Sequence, residues 1–353
     1  MSSTKTMKAV IFMGDKNLEI RDVPIPRAKR GEAVVKIQRA ALCGSDIHFY
    51  ETRAQDFIHP NTICGHEPAG IVYEVGEDVA NVKIGDRVCM YHFHGCGNCE
   101  LCHAGHYNNC VNRKGLGWEM DGSNAEYIVM NSENCLKLPD ELSMEDGAII
   151  SCIGGTTYWG LKNLGVSGRD LLVVYGLGAV GLATVLIAKA MGTVVIGVER
   201  NQYRLDFAKK LGCDYLINGE KEDIYERLME ISGGRGIPLS VEASGTNVLR
   251  KLAAKAAMIH GKICLLGFDA NTRNESIEIL SSFDTRHVIR KELTIVGSYV
   301  MPLWLYEEIK NFLVIKKVHL DSLVTHRFPL VEYQKAVDLF YTGNAGKIIF
   351  TMD

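Results

Sequence analysis

The chain is poor in the features that would direct it to a membrane or a polyanion. No apolar run in its 353 residues approaches the roughly 20 consecutive residues that span a bilayer. A net charge of −3 offers no field for nucleic acid or an anionic surface. Proline is scarce at 8 residues, with no proline-rich linker, repeat or low-complexity stretch to separate parts of the chain. The opening MSSTKTMKAVIF lacks a positive region, an apolar stretch and a small-residue cleavage site, so a cytoplasmic protein is expected. An even cysteine framework is missing too: the 11 cysteines are odd in number and the chain is far too long for a disulfide-stapled miniprotein. In a reducing compartment, clustered cysteines point to metal or catalysis.

What is present is an ordinary globular composition, 47% hydrophobic and 23% charged, long enough for about two domains. Residues 1–150 are rich in short β-branched or alternating runs (MKAVIF, EAVVKIQ, AGIVYEVG, GDRVCMY, NAEYIVM), which predicts a mostly β domain. From LLVVYGLGAVGLATVLIAKAMG onward, strands alternate with helices through ELTIVGS, which predicts a parallel, doubly wound sheet. After about residue 301 come two helical stretches and a terminal strand, GKIIFTMD.

The first chemistry lies at the strand-to-helix turn. Gly176, Gly178 and Gly181 spell G-x-G-x-x-G after LLVVY, and Glu199 closes the next strand. Glycines there allow a tight turn and a pyrophosphate at the helix N-terminus, while a carboxylate takes the ribose hydroxyls. Glu199 disfavours a 2′-phosphate, so NAD is expected over NADP, although Arg200 follows immediately.

Cys96, Cys99, Cys102 and Cys110 are spaced C-x2-C-x2-C-x7-C. Four thiolates so close in sequence suit one tetrahedral Zn²⁺ with no open position, hence a structural site. An iron–sulfur cluster is the main alternative, disfavoured by the lack of a second cysteine set and of a proline after the last cysteine. Cys64, Cys89, Cys135, Cys213 and Cys264 sit in apolar or strand-like surroundings and read as small hydrophobes.

A second metal set is scattered. Cys43 in CGSDIH, His66 in GHE and Cys152 in SCIGGTTYWG supply a thiolate, an imidazole and a thiolate, leaving one zinc position open as in catalytic sites. Glu67 is either an outer group or an alternate ligand, and Asp46 is placed to accept the second imidazole N–H of His66.

With CGSDIH, GHEPAG, the four-cysteine lobe, SCIGGTTY and GLGAVG in this order, the chain resembles the zinc-dependent medium-chain alcohol dehydrogenases from about residue 7 to its end. The resemblance implies a GroES-like catalytic domain from residues 1–152 plus 301–353, carrying the zinc lobe at about 95–111, with a Rossmann domain at 153–300. It implies that Ser45 hydrogen-bonds the alcohol and His48 passes its proton on. It places Thr156 by the nicotinamide, Val180 at the pyrophosphate turn, Arg204 near the adenosine ribose, and Ser244 and Gly267 along the cofactor groove. It also implies a homodimer or homotetramer paired through ELTIVGS.

The substrate is expected among residues flanking the ligands. Tyr50, Arg53, His92 and Trp118, several of them polar, favour a polyol, cyclitol or similar polar secondary alcohol, because a buried polar group left unpaired is costly. A general small-alcohol dehydrogenase is the alternative, suggested by cysteine rather than glutamate as third ligand. A nucleotide-binding redox sensor on the same fold is the non-enzyme alternative.

Overall fold

One strand, Glu32–Leu42, organises the first half of the molecule. It pairs antiparallel with Pro68–Val75 and Tyr127–Asn131 and, at its far end, with Lys347–Thr351. A strand covered on both faces reads as a near-continuous apolar run, and AVV and AAL within it are buried. The computed structural model describes residues 5–56, 59, 61–268 and 283–352.

The chain divides into two compact units: the N-terminal stretch through Gly155 with Met301–Thr342 and the residues from Lys347, and Thr156–Val300 with Gly343–Gly346. Gly343 goes with the second unit because Arg204 Nε and Asn201 Nδ2 donate to its carbonyl oxygen at 3.0 and 3.3 Å.

The first unit holds a seven-stranded sheet, with Val324–Pro329 at one edge and Cys135–Lys137 at the other. Asn17–Pro24 forms a hairpin with Thr6–Gly14; it was not among the expected strands, because charged Glu19, Arg21 and Asp22 interrupt its apolar positions and none of its side chains is fully buried. Val324–Pro329 is a further strand beyond the expected terminal one, running parallel to Lys347–Thr351. Helix Met144–Ile149 starts with a capping box between Ser143 and Asp146 and passes into a wider π turn, Ile150–Gly154. Single π turns inside helices concentrate at functional sites, and this one carries Cys152.

Among the described residues, the second unit is a six-stranded parallel sheet. Its order is Tyr215–Asn218, Val194–Glu199, Leu171–Tyr175, Ile237–Glu242, Ala257–Leu265 and Thr294–Gly297. Numbered along this unit the order is 3-2-1-4-5-6, the Rossmann arrangement, with its switch point beside Leu171–Tyr175. Apolar side chains of Val173, Tyr175, Ile196, Val198, Ile217 and Ile263 fill the centre. Among the described residues, no helix is long and apolar enough to cross a membrane.

A buried amide stiffens the segment leading into the cysteine lobe. Asn134, fully buried, donates from Nδ2 to the carbonyls of Tyr91 (2.9 Å) and Phe93 (2.8 Å), the two neighbours of His92. Asn134→Ala should lower stability by about 1–3 kcal/mol, read as a reduced denaturant midpoint, because two buried carbonyls lose their donor. An unchanged midpoint would mean that the clamp contributes nothing.

Candidate active site

Three chain segments meet at one end of the first unit's sheet. Cys43 follows directly on strand Glu32–Leu42 and caps helix Gly44–Tyr50. His66 and Glu67 precede strand Pro68–Val75, whose entry is registered on the same strand by Ala41 N donating to Glu67 O at 3.0 Å. Cys152 arrives on the π turn. The ligand atoms of Cys43, His66, Glu67 and Cys152 all lie within 4.8 Å of one another.

Asp46 orients two of these groups. Its Oδ2 accepts from Cys43 N at 2.9 Å, and its Oδ1 stands 3.0 Å from His66 Nδ1. A carboxylate can only accept here, so Nδ1 carries the proton and Nε2 is left as the donor atom toward the thiols. The thiol pair shares charge unequally. The Cys152 thiol, by hydrogen bonding, holds Cys43 well below the ordinary cysteine range, while the same contact and burial push Cys152 up. Burial alone would lower His66, but Asp46 and Cys43 outweigh it and raise it. These are donors retaining protons that a divalent cation would displace, and the set of two sulfurs and one imidazole nitrogen suits zinc.

Behind the cluster lies a buried ion pair absent from the sequence expectations. Glu67 and Lys347 are both essentially inaccessible, with Lys347 Nζ 2.6 Å from Glu67 Oε2 and 2.9 Å from the carbonyl of Leu42. The ion pair lies outside hydrogen-bond geometry, and Glu67 Oε1 also has no hydrogen-bond partner among the described residues. Burial lifts Glu67 to about 8 even with the ammonium opposing it. The only sequence signal for Lys347 was a lone lysine opening an apolar terminal strand, and nothing local names its partner.

Ser45 and His48 lie on the same short helix, both half-buried. Ser45 Oγ is 3.4 Å from His66 Nε2, and the carbonyl of His48 accepts from Thr52 Oγ1 at 3.0 Å. An aromatic wall stands beside His66: Trp118 at 5.2 Å between ring centroids, His92 at 5.3 Å, and Phe49 and Phe93 each 5.6 Å from Trp118. His92 is buried, which pushes its imidazole down to about 3 and keeps it neutral. The structure thus brings His92 and Trp118 to the cluster. The expectation for Tyr50 and Arg53 is corrected. Tyr50 is buried against Phe12 and directs its hydroxyl to Gln334, since its helix position faces the core. Arg53 is exposed and pairs with Asp56.

The cysteine lobe is a second donor set. Cys96 and Cys102 Sγ are 3.9 Å apart and Cys99 and Cys110 Sγ 3.8 Å apart. Disulfide sulfurs sit at about 2.05 Å. A tetrahedron with metal–sulfur bonds of about 2.3 Å has edges of about 3.8 Å. The four thiols therefore stand at the spacing of a closed zinc site. The other five cysteines are buried and unpaired, as small hydrophobes are.

In the second unit, Gly176 takes φ +87°, and a side chain on Gly181 would place its Cβ 1.9 Å from the Gly176 carbonyl oxygen. Helix Ala179–Ala190 starts at Gly178 with no side-chain cap, which leaves its first amides for an anion. Glu199 holds this turn: Oε2 accepts from Leu177 N at 2.9 Å, and Oε1 from the amides of Arg200 and Asn201. Val180 is on the first turn of the helix. Arg204 Nη1 is 3.8 Å from Glu199. Ser244 and Gly267 are tied to the buried Glu242, whose Oε1 accepts from Ser244 N and whose carbonyl accepts from Gly267 N, both at 2.8 Å. Thr156 begins the unit, half-buried on helix Gly155–Leu164. The glycine turn and the uncapped amides fit a dinucleotide pyrophosphate.

Two family models match the chain: the alcohol dehydrogenase GroES-like domain over residues 29–140, and the zinc-binding dehydrogenase over residues 179–315. The chain is 32% identical over 339 residues to an L-threonine 3-dehydrogenase of Pyrococcus horikoshii, with 95% of each chain covered. It is 31% identical over 353 residues to a D-arabitol-phosphate dehydrogenase of Enterococcus avium, covering 98% of this chain and 97% of that one. A solved Escherichia coli structure, named a short chain alcohol dehydrogenase and complexed with NADH, superposes with a TM-score of 0.88. Its identity is 27%, covering 98% of this chain and 99% of that one.

Two outcomes are expected. Cys99→Ser should lose one equivalent of zinc by elemental analysis together with thermal stability; full zinc content in the variant would remove the lobe from the metal sites. Above about pH 8, where Glu67 is ionised, Lys347→Met should destabilise by about 3–5 kcal/mol by stranding the Glu67 carboxylate, and adding Glu67→Gln should recover much of that loss. Additive losses in the double variant would show that the two side chains are uncoupled.

Proposed function

The chain belongs to the zinc-dependent medium-chain alcohol dehydrogenases, and on that premise we propose that it oxidises a polar secondary alcohol, such as a polyol or cyclitol, reversibly to a ketone. It is an NAD(P)-dependent zinc enzyme; we read NAD as the cofactor, with two zinc ions per chain, one held by Cys43, His66 and Cys152 and one by the cysteine lobe. The observation that carries the reading is the cluster of Cys43, His66, Glu67 and Cys152 with a serine hydroxyl 3.4 Å from its imidazole.

When bound, zinc supplies the Lewis acidity that lowers a hydroxyl's pKa, and NAD supplies the hydride acceptor. The protein's own groups do the rest. Asp46 keeps His66 in one tautomer, so that its Nε2 always faces the site. Ser45 Oγ stands beside it to accept the substrate proton, and His48, one turn along the helix, is the group that moves it onward. Phe49, Phe93 and Trp118 exclude water from one side. The amides after Gly178 hold the pyrophosphate and Glu199 the turn that presents them.

Polarity of the substrate is supported by the buried imidazole of His92 in an otherwise aromatic wall, and by relatives named for threonine and arabitol phosphate. The aromatic faces themselves favour the second reading, a small-alcohol dehydrogenase. We further propose a cytoplasmic homodimer or homotetramer joined through the edge strand Thr294–Gly297, whose side chains are largely exposed.

Zinc-replete enzyme with NAD should form NADH from polyols, cyclitols or hydroxy acids in preference to simple primary and secondary alcohols; the opposite preference selects the second reading. Cys43→Ser should lose turnover by at least about a thousandfold while NADH affinity stays within about threefold. Equal loss of cofactor binding would contradict the division of roles.

A further inference from the structure

The wall beside His66 offers aromatic faces and one polar edge, and the fold decides what that edge presents. His92 is 1% exposed and meets His66 edge-on at 5.3 Å between centroids. Its Nδ1 is 2.9 Å from the carbonyl oxygen of Ser151. A carbonyl only accepts, so Nδ1 carries the proton and the lone pair of the neutral ring is at Nε2, across the ring from Ser151.

That tautomer is built in. Ser151 belongs to the π turn that carries Cys152, and its hydroxyl lies within hydrogen-bonding reach of the carbonyls of Pro68 (3.2 Å) and Gly147 (3.1 Å). On the other side, Asn134 clamps the carbonyls flanking His92. The group that sets the proton of His92 is thus one residue from a metal donor, and the ring is held from both sides. No hydrogen bond to Nε2 is found among the described residues. Of the nearby carboxylates, Asp46 is occupied by Cys43 and His66, and Glu67 faces Lys347 as an ion pair.

We propose that His92 is a specificity-determining residue: Nε2 accepts a hydrogen bond from a hydroxyl on the carbon next to the reacting carbinol, so the site selects vicinal diols over matched mono-alcohols. This rests on the reading of the site as an alcohol dehydrogenase for polar secondary alcohols. Phe49, Phe93 and Trp118 then contact C–H surface, to which they are indifferent in hydroxyl pattern, and the discrimination falls on one acceptor.

The test uses the zinc-loaded enzyme with butane-2,3-diol and butan-2-ol. First, dissociation constants of each alcohol in the non-reacting complex with NADH are measured by NADH fluorescence. The diol should bind about tenfold tighter, the scale of one hydrogen bond in a desolvated site; equal affinities overturn the proposal. Second, the ratio of kcat/KM for diol over mono-alcohol is compared across variants. His92→Asn keeps a donor within reach of Ser151 but has no acceptor at the Nε2 position, and its ratio should fall about tenfold. His92→Gln restores an acceptor at that reach and should keep most of the ratio. Equal loss on both alcohols in His92→Asn, or a ratio that survives it unchanged, overturns the role of His92 while leaving the polar-substrate reading in place. A wild-type enzyme that turns over butan-2-ol and leaves every diol and polyol untouched overturns that reading and the inference together.

Discussion

Two hydrogen bonds to one buried carboxylate set the geometry on which the site depends. Asp46 accepts from the amide of Cys43 with one oxygen and faces Nδ1 of His66 with the other. The first bond starts the helix that carries Ser45 and His48, and the second fixes which imidazole nitrogen is free. A single side chain therefore couples the placement of a thiol, the tautomer of an imidazole and the register of Ser45 and His48. Replacing a carboxylate by an amide there would keep the shape and lose the certainty of the tautomer.

The sheet brings these groups together by register. Strand Glu32–Leu42 ends at Cys43; the strand beginning at Pro68 and the one beginning at Lys347 pair with its last residues. Charge then converges with geometry, because two thiols, an imidazole and a carboxylate are collected out of water. Lys347 offsets part of that charge from behind. A divalent cation held by these donors would offset the rest.

The cofactor chemistry is kept in a separate unit with its own internal logic. Glu199 ties the glycine turn to the end of the adjacent strand, and Glu242 ties the Ser244 loop to Gly267. In both cases a carboxylate at the end of a parallel strand collects backbone amides, so the loops above the sheet are braced before any ligand arrives. The zinc ligation is kept apart from it in the first unit, where the aromatic wall of Phe49, His92, Phe93 and Trp118 stands beside His66.

How much of this was legible in the linear chain depends on sequence distance. The cysteine lobe spans sixteen residues, so spacing alone announces a tetrahedral set, and the glycine turn announces itself between one strand and one helix. The alternation of strands and helices likewise declares a doubly wound sheet, since each period is a local property of the backbone. Cys43, His66 and Cys152 are separated by long stretches, and only their company with the other motifs marked them. Tyr50 and Arg53 were misjudged because proximity in sequence to His48 says nothing of where a side chain points: Tyr50, at the end of the helix, faces the core, and Arg53, beyond it, faces solvent. The pairing of Lys347 with Glu67, and the carbonyl of Ser151 that fixes the proton of His92, lay beyond any pattern in the residues. The sequence by itself determined the donor types, the fold class and the family; the tertiary structure alone decided which charge meets which and which nitrogen is bare, because those contacts join residues far apart in the chain through strand register and a π turn.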